Sequence, residues 1–172
     1  LSGDSIHTYK LPDNLKADFF SYILQVKDSI YLFNMLGFNS SISHFAFDIK
    51  HKTFTRISSL PPRIVLKVFA DEGYGGWVFN NAGQVFQKKG NGFVLHAKIA
   101  DTLNEVCAIG KNYFAVSDPG KHQLLFFNAA ENKITGAHQF KEYLNLMKRN
   151  MIAFDSTRIF YTTSFHDIYA FV

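Results

Sequence analysis

Short apolar runs separated by turn residues recur along the entire chain, and they recur in groups. The first group holds "YILQV", "SIYLFNML", "ISHFAFDI" and "KTFTRISSL". The second holds "RIVLKVFA", "GGWVFNNA", "GQVFQKK" and "GFVLHAKIA". The third holds "NEVCAIG", "NYFAVSD", "QLLFFNAA" and "NKITGAHQF". The fourth holds three runs, "NMIAFD", "TRIFYTT" and "DIYAFV". Short strands at even spacing with turn signals between them predict an all-β chain. We label the strands of a group a, b, c and d. The a–b junctions "VKDSIYLF", "IGKNYFAV" and "FDSTRIFY" each place a polar pair or triplet between apolar runs, which is hairpin chemistry. The c–d junctions "FDIKHKTF" and "FNAAENKI" repeat as well. The second group is shorter and richer in glycine (Gly73, Gly75, Gly76, Gly83). Such a period constrains the fold more than any local motif, because one unit cannot bury its apolar faces alone and must stack on its neighbours. The 172 residues shared among four groups give about 43 per group, the usual span of a four-stranded repeat.

The fourth group lacks a d strand. At the other end of the chain, "DSIHTYKLP" supplies a candidate: Ile6, Thr8 and Lys10 alternate with His7, Tyr9 and Leu11, and Pro12 closes the run. Placed beside "DIYAFV", this segment would complete the last unit and cover an edge that would otherwise offer unpaired backbone groups.

This layout resembles the blades of a β-propeller, of the kelch, WD40 and quinoprotein-like kind. Residues 31–61, "YLFNMLGFNSSISHFAFDIKHKTFTRISSLP", are similar to a kelch blade, though without the double glycine after strand b and with Phe54 where tryptophan is usual. "DIYAF" is similar to the third strand of quinoprotein-like repeats, and no unit ends in Trp-Asp. The resemblance implies a propeller of about four four-stranded blades, at residues 18–60, 63–100, 104–140 and 150–172 plus 4–12, with the N-terminal strand completing the last. The alternative is part of a larger propeller. One stretch departs from the β pattern: "HQFKEYLNLMKRN" spaces Phe140, Tyr143, Leu144 and Met147 as on one helix face, predicting a short helical connection or a partner-docking helix.

Composition agrees with a packed core. Hydrophobic residues make up 47% and charged ones 19%, with 19 Phe and 8 Tyr favouring strands. Net charge is +4, and its cations are scattered in pairs such as Lys88-Lys89 and Lys148-Arg149 rather than in a basic stripe, which disfavours nucleic acid. No apolar run reaches the roughly 18 to 20 residues of a membrane helix. A single cysteine, Cys107, excludes an internal disulfide and reads as a small buried hydrophobe. The sequence leaves the compartment open.

Catalytic signatures are missing. There is no G-x-S-x-G elbow and no glycine-rich phosphate loop followed by lysine. The closest histidine pair, His44 and His51, is seven residues apart, and His166 and Asp167 as strand neighbours would point to opposite faces. No cofactor or metal is implied, and aspartates such as Asp48, Asp118 and Asp155 read as turn formers.

The propeller resemblance implies recognition on the face carrying the b–c loops (about 37–41, 80–83, 118–123 and 164–166) and the d–a loops (about 61–63, 100–104, 140–150 and 14–17). The binding residues expected there are Asn39, Arg63, Asn81, Lys121, His122 and His166. Trp77 reads either as packing between blades or as an aromatic platform for a sugar or peptide. The expected function is a non-enzymatic scaffold that binds a protein or peptide. A lectin-like carbohydrate propeller is the alternative, and a hydrolase at the central channel a third. Deletion of residues 1–12 is expected to destabilise the protein or drive its self-association. A folded monomer, seen by circular dichroism and light scattering, would refute the strand pairing across the termini.

Overall fold

The computed structural model describes residues 22–26, 29–36, 41–70, 76–139, 151–153, 159–162 and 168–171. The chain divides into two compact units, Leu1–Pro62 and Arg63–Val172. The first unit holds one antiparallel meander, β1 (Tyr22–Val26), β2 (Ser29–Leu36), β3 (Ile42–Asp48) and β4 (Thr53–Arg56), in that spatial order. The second unit holds three sheets. β5 (Val65–Ala70), β6 (Gly76–Asn80), β7 (Gln84–Lys89) and β8 (Gly92–Lys98) form one. β9 (Glu105–Gly110), β10 (Tyr113–Asp118), β11 (Gln123–Asn128) and β12 (Lys133–Gln139) form the next. β13 (Met151–Ala153), β14 (Ile159–Thr162) and β15 (Ile168–Phe171) form the last. Among the described residues there is no helix. The strand predicted at residues 6–11 and the helix predicted at residues 140–150 lie outside the described residues, although His138 and Gln139 belong to β12.

The turns explain why each sheet is a meander. Asn112 and Asn132 take the left-handed conformation at φ 57 and 51, which asparagine tolerates better than most residues. The last residue of strand c caps the c–d turn in two sheets. Asp48 Oδ1 accepts from the His51 amide at 2.9 Å, and Asn128 Oδ1 accepts from the Ala130 and Glu131 amides at 3.0 and 3.3 Å. In the first unit, His44 joins β3 to the segment beyond β4. Its Nδ1 accepts from the Asn34 amide and its Nε2–H donates to the Pro61 carbonyl, each at 3.2 Å.

In the second and third sheets burial is deepest at the second strand and falls off towards the fourth. β6 and most of β10 are buried on both faces, whereas nearly every residue of β12 is exposed. That is why "GWVFN" and "YFAVS" read as continuous apolar runs. The core of the second unit lies between its first two sheets. It contains Trp77, Phe79, Val85, Leu103, Val106, Phe114, Val116, Leu125, Phe127 and Ala129. Phe79 and Phe69 meet Phe114 at ring-centroid distances of 4.9 and 5.0 Å, in the tilted geometry that aromatic quadrupoles favour. β9 stands beside both β5 and β13, so the first strands of three successive sheets are neighbours.

Polar ties close this junction at both ends. At the a–b and c–d end, Trp77 Nε1 donates to Asn112 Oδ1 at 2.9 Å. His96, whose ring lies 4.9 Å from that of Trp77, donates from Nε2 to the Ala129 carbonyl at 2.7 Å. At the other end, the Leu103 amide ahead of β9 donates to the Asn81 carbonyl at 3.0 Å, and within the second sheet the Ile99 amide donates to the Gly83 carbonyl at 2.9 Å. Gly83 has φ +75, and a Cβ there would lie 1.9 Å from the Ala100 carbonyl oxygen. Gly83→Ala combines left-handed strain with a backbone clash and is expected to cost about 2–4 kcal/mol, read as a shift in the urea midpoint. An unchanged midpoint would contradict the close approach.

Candidate functional site

The b–c loops of the second and third sheets are built by the same device. Asn80, at the end of β6, is 2% exposed. Its Oδ1 accepts from the Ala82 and Gln84 amides at 3.1 and 3.0 Å, and its Nδ2 donates to Gln84 Oε1 at 2.8 Å. Asp118, at the end of β10, is also 2% exposed. Its Oδ1 accepts from the Gly120 and Lys121 amides at 3.0 and 3.3 Å, and its Oδ2 accepts from Gln123 Nε2 at 3.0 Å. In both sheets a side chain closing strand b holds the loop, and the glutamine opening strand c locks it. Asp118 is the turn former that its sequence context predicts. Asn80, Gln84 and Gln123 escape a motif search. They become visible only when the repeats are laid over one another as N-x-x-x-Q and D-x-x-x-x-Q.

A path of short contacts joins these loops to the connections between sheets. The Asn81 amide donates to the Ile64 carbonyl at 2.8 Å, and the Leu103 amide donates to the Asn81 carbonyl at 3.0 Å. The Asn104 amide donates to the Ser117 carbonyl at 3.1 Å, and a Cβ on Gly120 would lie 3.3 Å from Thr102 Oγ1. Arg63, Asn81, Lys121 and His122 therefore sit at one end of these two sheets. Arg63 and Lys121 are exposed, and His122 occupies the left-handed position of its turn at φ 52. Trp77 is at the other end of β6, 6% exposed within the core and bonded to the a–b turn. Asn39 and His166 lie outside the described residues.

The Asn81 carboxamide differs from its neighbours. Its backbone is held on both sides, yet its Oδ1 is buried and has no hydrogen-bond donor. A buried acceptor left unmet costs about 1–3 kcal/mol.

Charges on this rim are mostly paired. Lys98 meets Asp101 at 3.1 Å, and Lys67 on β5 meets Glu105 on β9 at 3.6 Å. Burial pushes the Glu105 carboxyl above its ordinary value, with Lys67 opposing the shift. Burial, with help from Glu105, pushes the Cys107 thiol up to about 11, so it stays un-ionised and unreactive at neutral pH. Among the described residues, no three His, Cys, Asp or Glu side chains gather so as to hold a metal ion, and no helix is long and apolar enough to cross a membrane.

Four-stranded antiparallel meanders whose first strands stand side by side are blades of the β-propeller class. Solved structures show the same repeats. The chain resembles BamB from Moraxella catarrhalis with a TM-score of 0.53 and 15% identity, over 86% of this chain and 42% of that one. It resembles the C-terminal WD40 domain of Sif2 with a TM-score of 0.57 and 10% identity, over 83% of this chain and 40% of that one. Both are β-propeller-type repeats. At these identities the likeness concerns the fold, and the chain spans about two-fifths of the length of either structure. No protein-family model and no curated protein matches the sequence.

Glu105 carries a pH prediction. A folded-state value above 4.5 means that the folded protein holds the proton more tightly than the unfolded chain does. The ionised carboxylate therefore costs stability at neutral pH, and the cost is relieved as pH falls through the folded value towards 4.5. Glu105→Gln is expected to raise the Tm at neutral pH, with the gain vanishing below about pH 4.5 in a pH series of thermal melts. A variant that melts lower than the parent at neutral pH would show that the Lys67 contact outweighs burial.

Proposed function

We propose that the chain is a recognition domain that binds a protein or peptide partner on the rim formed by its b–c and d–a loops. In this reading residues 1–172 act as one module, with residues 4–12 completing the fourth sheet. The observation that carries the proposal is Asn81, a polar side chain kept on a rigid rim with its acceptor unmet. Positions retained at a cost in stability mark function more often than packing. That oxygen lies beneath the surface, so a bound segment meets it only once the half-exposed Asn81 side chain turns outward, where a backbone N–H would supply the missing donor. The loops around it are held by Asn80 and Asp118, so little ordering entropy is lost on binding. The carbohydrate reading draws on an exposed aromatic, and Trp77 is buried in the core.

Peptides selected against the protein by phage display provide the test. Asn81→Ala is expected to leave the Tm unchanged or higher, since it removes an unsatisfied group. It is expected to weaken the selected peptides about threefold to tenfold, the worth of one hydrogen bond. Lys111→Glu, in the exposed a–b turn at the opposite end of the third sheet, should leave affinity unchanged. The opposite pattern, with Lys111 sensitive and Asn81 silent, would move the binding surface to the other face.

A further inference from the structure

We infer that the partner segment is acidic, with an apolar residue among its carboxylates, and that Arg63, Ile64, Asn81 and Lys121 read it. The inference rests on the loop-rim reading above and adds the chemistry of what binds there. Within residues 63–67, 80–84, 98–105 and 117–123 there are four cations, Arg63, Lys67, Lys98 and Lys121, and three carboxylates, Asp101, Glu105 and Asp118. All three carboxylates are engaged. Asp101 meets Lys98, Glu105 meets Lys67, and Asp118 is buried and accepts from two amides of its own loop and from Gln123. That leaves Arg63 and Lys121, both exposed and, among the described residues, without an acidic partner. Among the described residues of this rim, these two cations are the charges left uncompensated.

They flank the unmet acceptor. Arg63 adjoins Ile64, whose carbonyl receives the Asn81 amide. Lys121 adjoins Gly120, which packs on Thr102 next to the Leu103 amide that donates to Asn81. Ile64 is 45% exposed, one of five large apolar side chains open to solvent among the described residues. The rim thus offers two positive charges and an apolar step and, once the Asn81 side chain turns outward, a hydrogen-bond acceptor. An acidic peptide with one aliphatic residue complements each of them. A nucleic acid fits less well. Two free cations neutralise few phosphates, and the one tryptophan that could stack on a base is buried at the far end of β6.

The test uses fluorescence anisotropy with three labelled probes. Two are peptide pools of about 12 residues, one mixing Asp and Glu with Leu, the other mixing Lys and Arg with Leu. The third is single-stranded polyuridine. The full chain is expected to bind the acidic pool at least about tenfold more tightly than the basic pool, and the preference should shrink between about 50 and 300 mM salt. Arg63→Glu with Lys121→Glu should move the preference to the basic pool, while the Tm stays at the parent value because both residues are exposed. Ile64→Asp should weaken both pools. Equal binding of the two pools, or no binding of the acidic pool, overturns the inference, as does polyuridine binding more tightly than the acidic pool. If a pool binds without charge preference but loses affinity in Asn81→Ala, the loop-rim reading stands and the acidic assignment falls. If binding ignores Arg63, Asn81 and Lys121 altogether, both fall.

Discussion

The seam between the second and third sheets holds the structure on which everything described at the rim depends. Neither meander can bury both faces of its second strand by itself, and β6 and β10 are buried almost from end to end. Phe79 resting on Phe114 lets each sheet act as the other's solvent-excluding wall. A fully buried aromatic of this size is worth about 1.5–3 kcal/mol in area alone. Several such rings in one seam outweigh any single polar contact nearby. The polar contacts do something else: they set the register. Trp77 with Asn112 and His96 with Ala129 fasten one end, and the Leu103 amide on the Asn81 carbonyl fastens the other.

A seam fastened at both ends leaves the rim loops little freedom. Asn80 and Asp118 take up the amides that a turn would otherwise present to water, and their glutamine partners stop the side chains from swinging out. The loops are consequently an extension of the sheets. Short loops on a stiff scaffold can hold polar groups in unfavourable states. Asn81 is the local example. Asn80 and Asp118 spend their side-chain oxygens on the fold, and the Asn81 oxygen does not.

Much of this was legible from residue order. The groups "YILQV", "SIYLFNML", "QLLFFN" and their repeats contain the observed strands, with ends displaced by one to a few residues, because alternation and turn chemistry are local properties. The rim residues Arg63, Asn81, Lys121 and His122 were legible too, since a meander forces b–c and d–a loops to one end. Other features were not. Trp77 could be weighed as core or platform from sequence, but only its bond to Asn112, 35 residues away, places it at the far end of its strand. Gln84 and Gln123 look like ordinary strand-opening polar residues until the side chains they lock are seen.

The sequence by itself determined the strands, their grouping and the end of the sheet at which each loop emerges. Those follow from side-chain period and from turns a few residues long. The tertiary structure decided which polar groups are used up. Whether Lys67 is free depends on β5 standing beside β9, and whether the Asn81 oxygen finds a donor depends on the segments packed around it. Hydrogen bonds and ion pairs act over about 3 Å between residues far apart in sequence. A chain read one residue at a time carries the donors and acceptors but not their pairing.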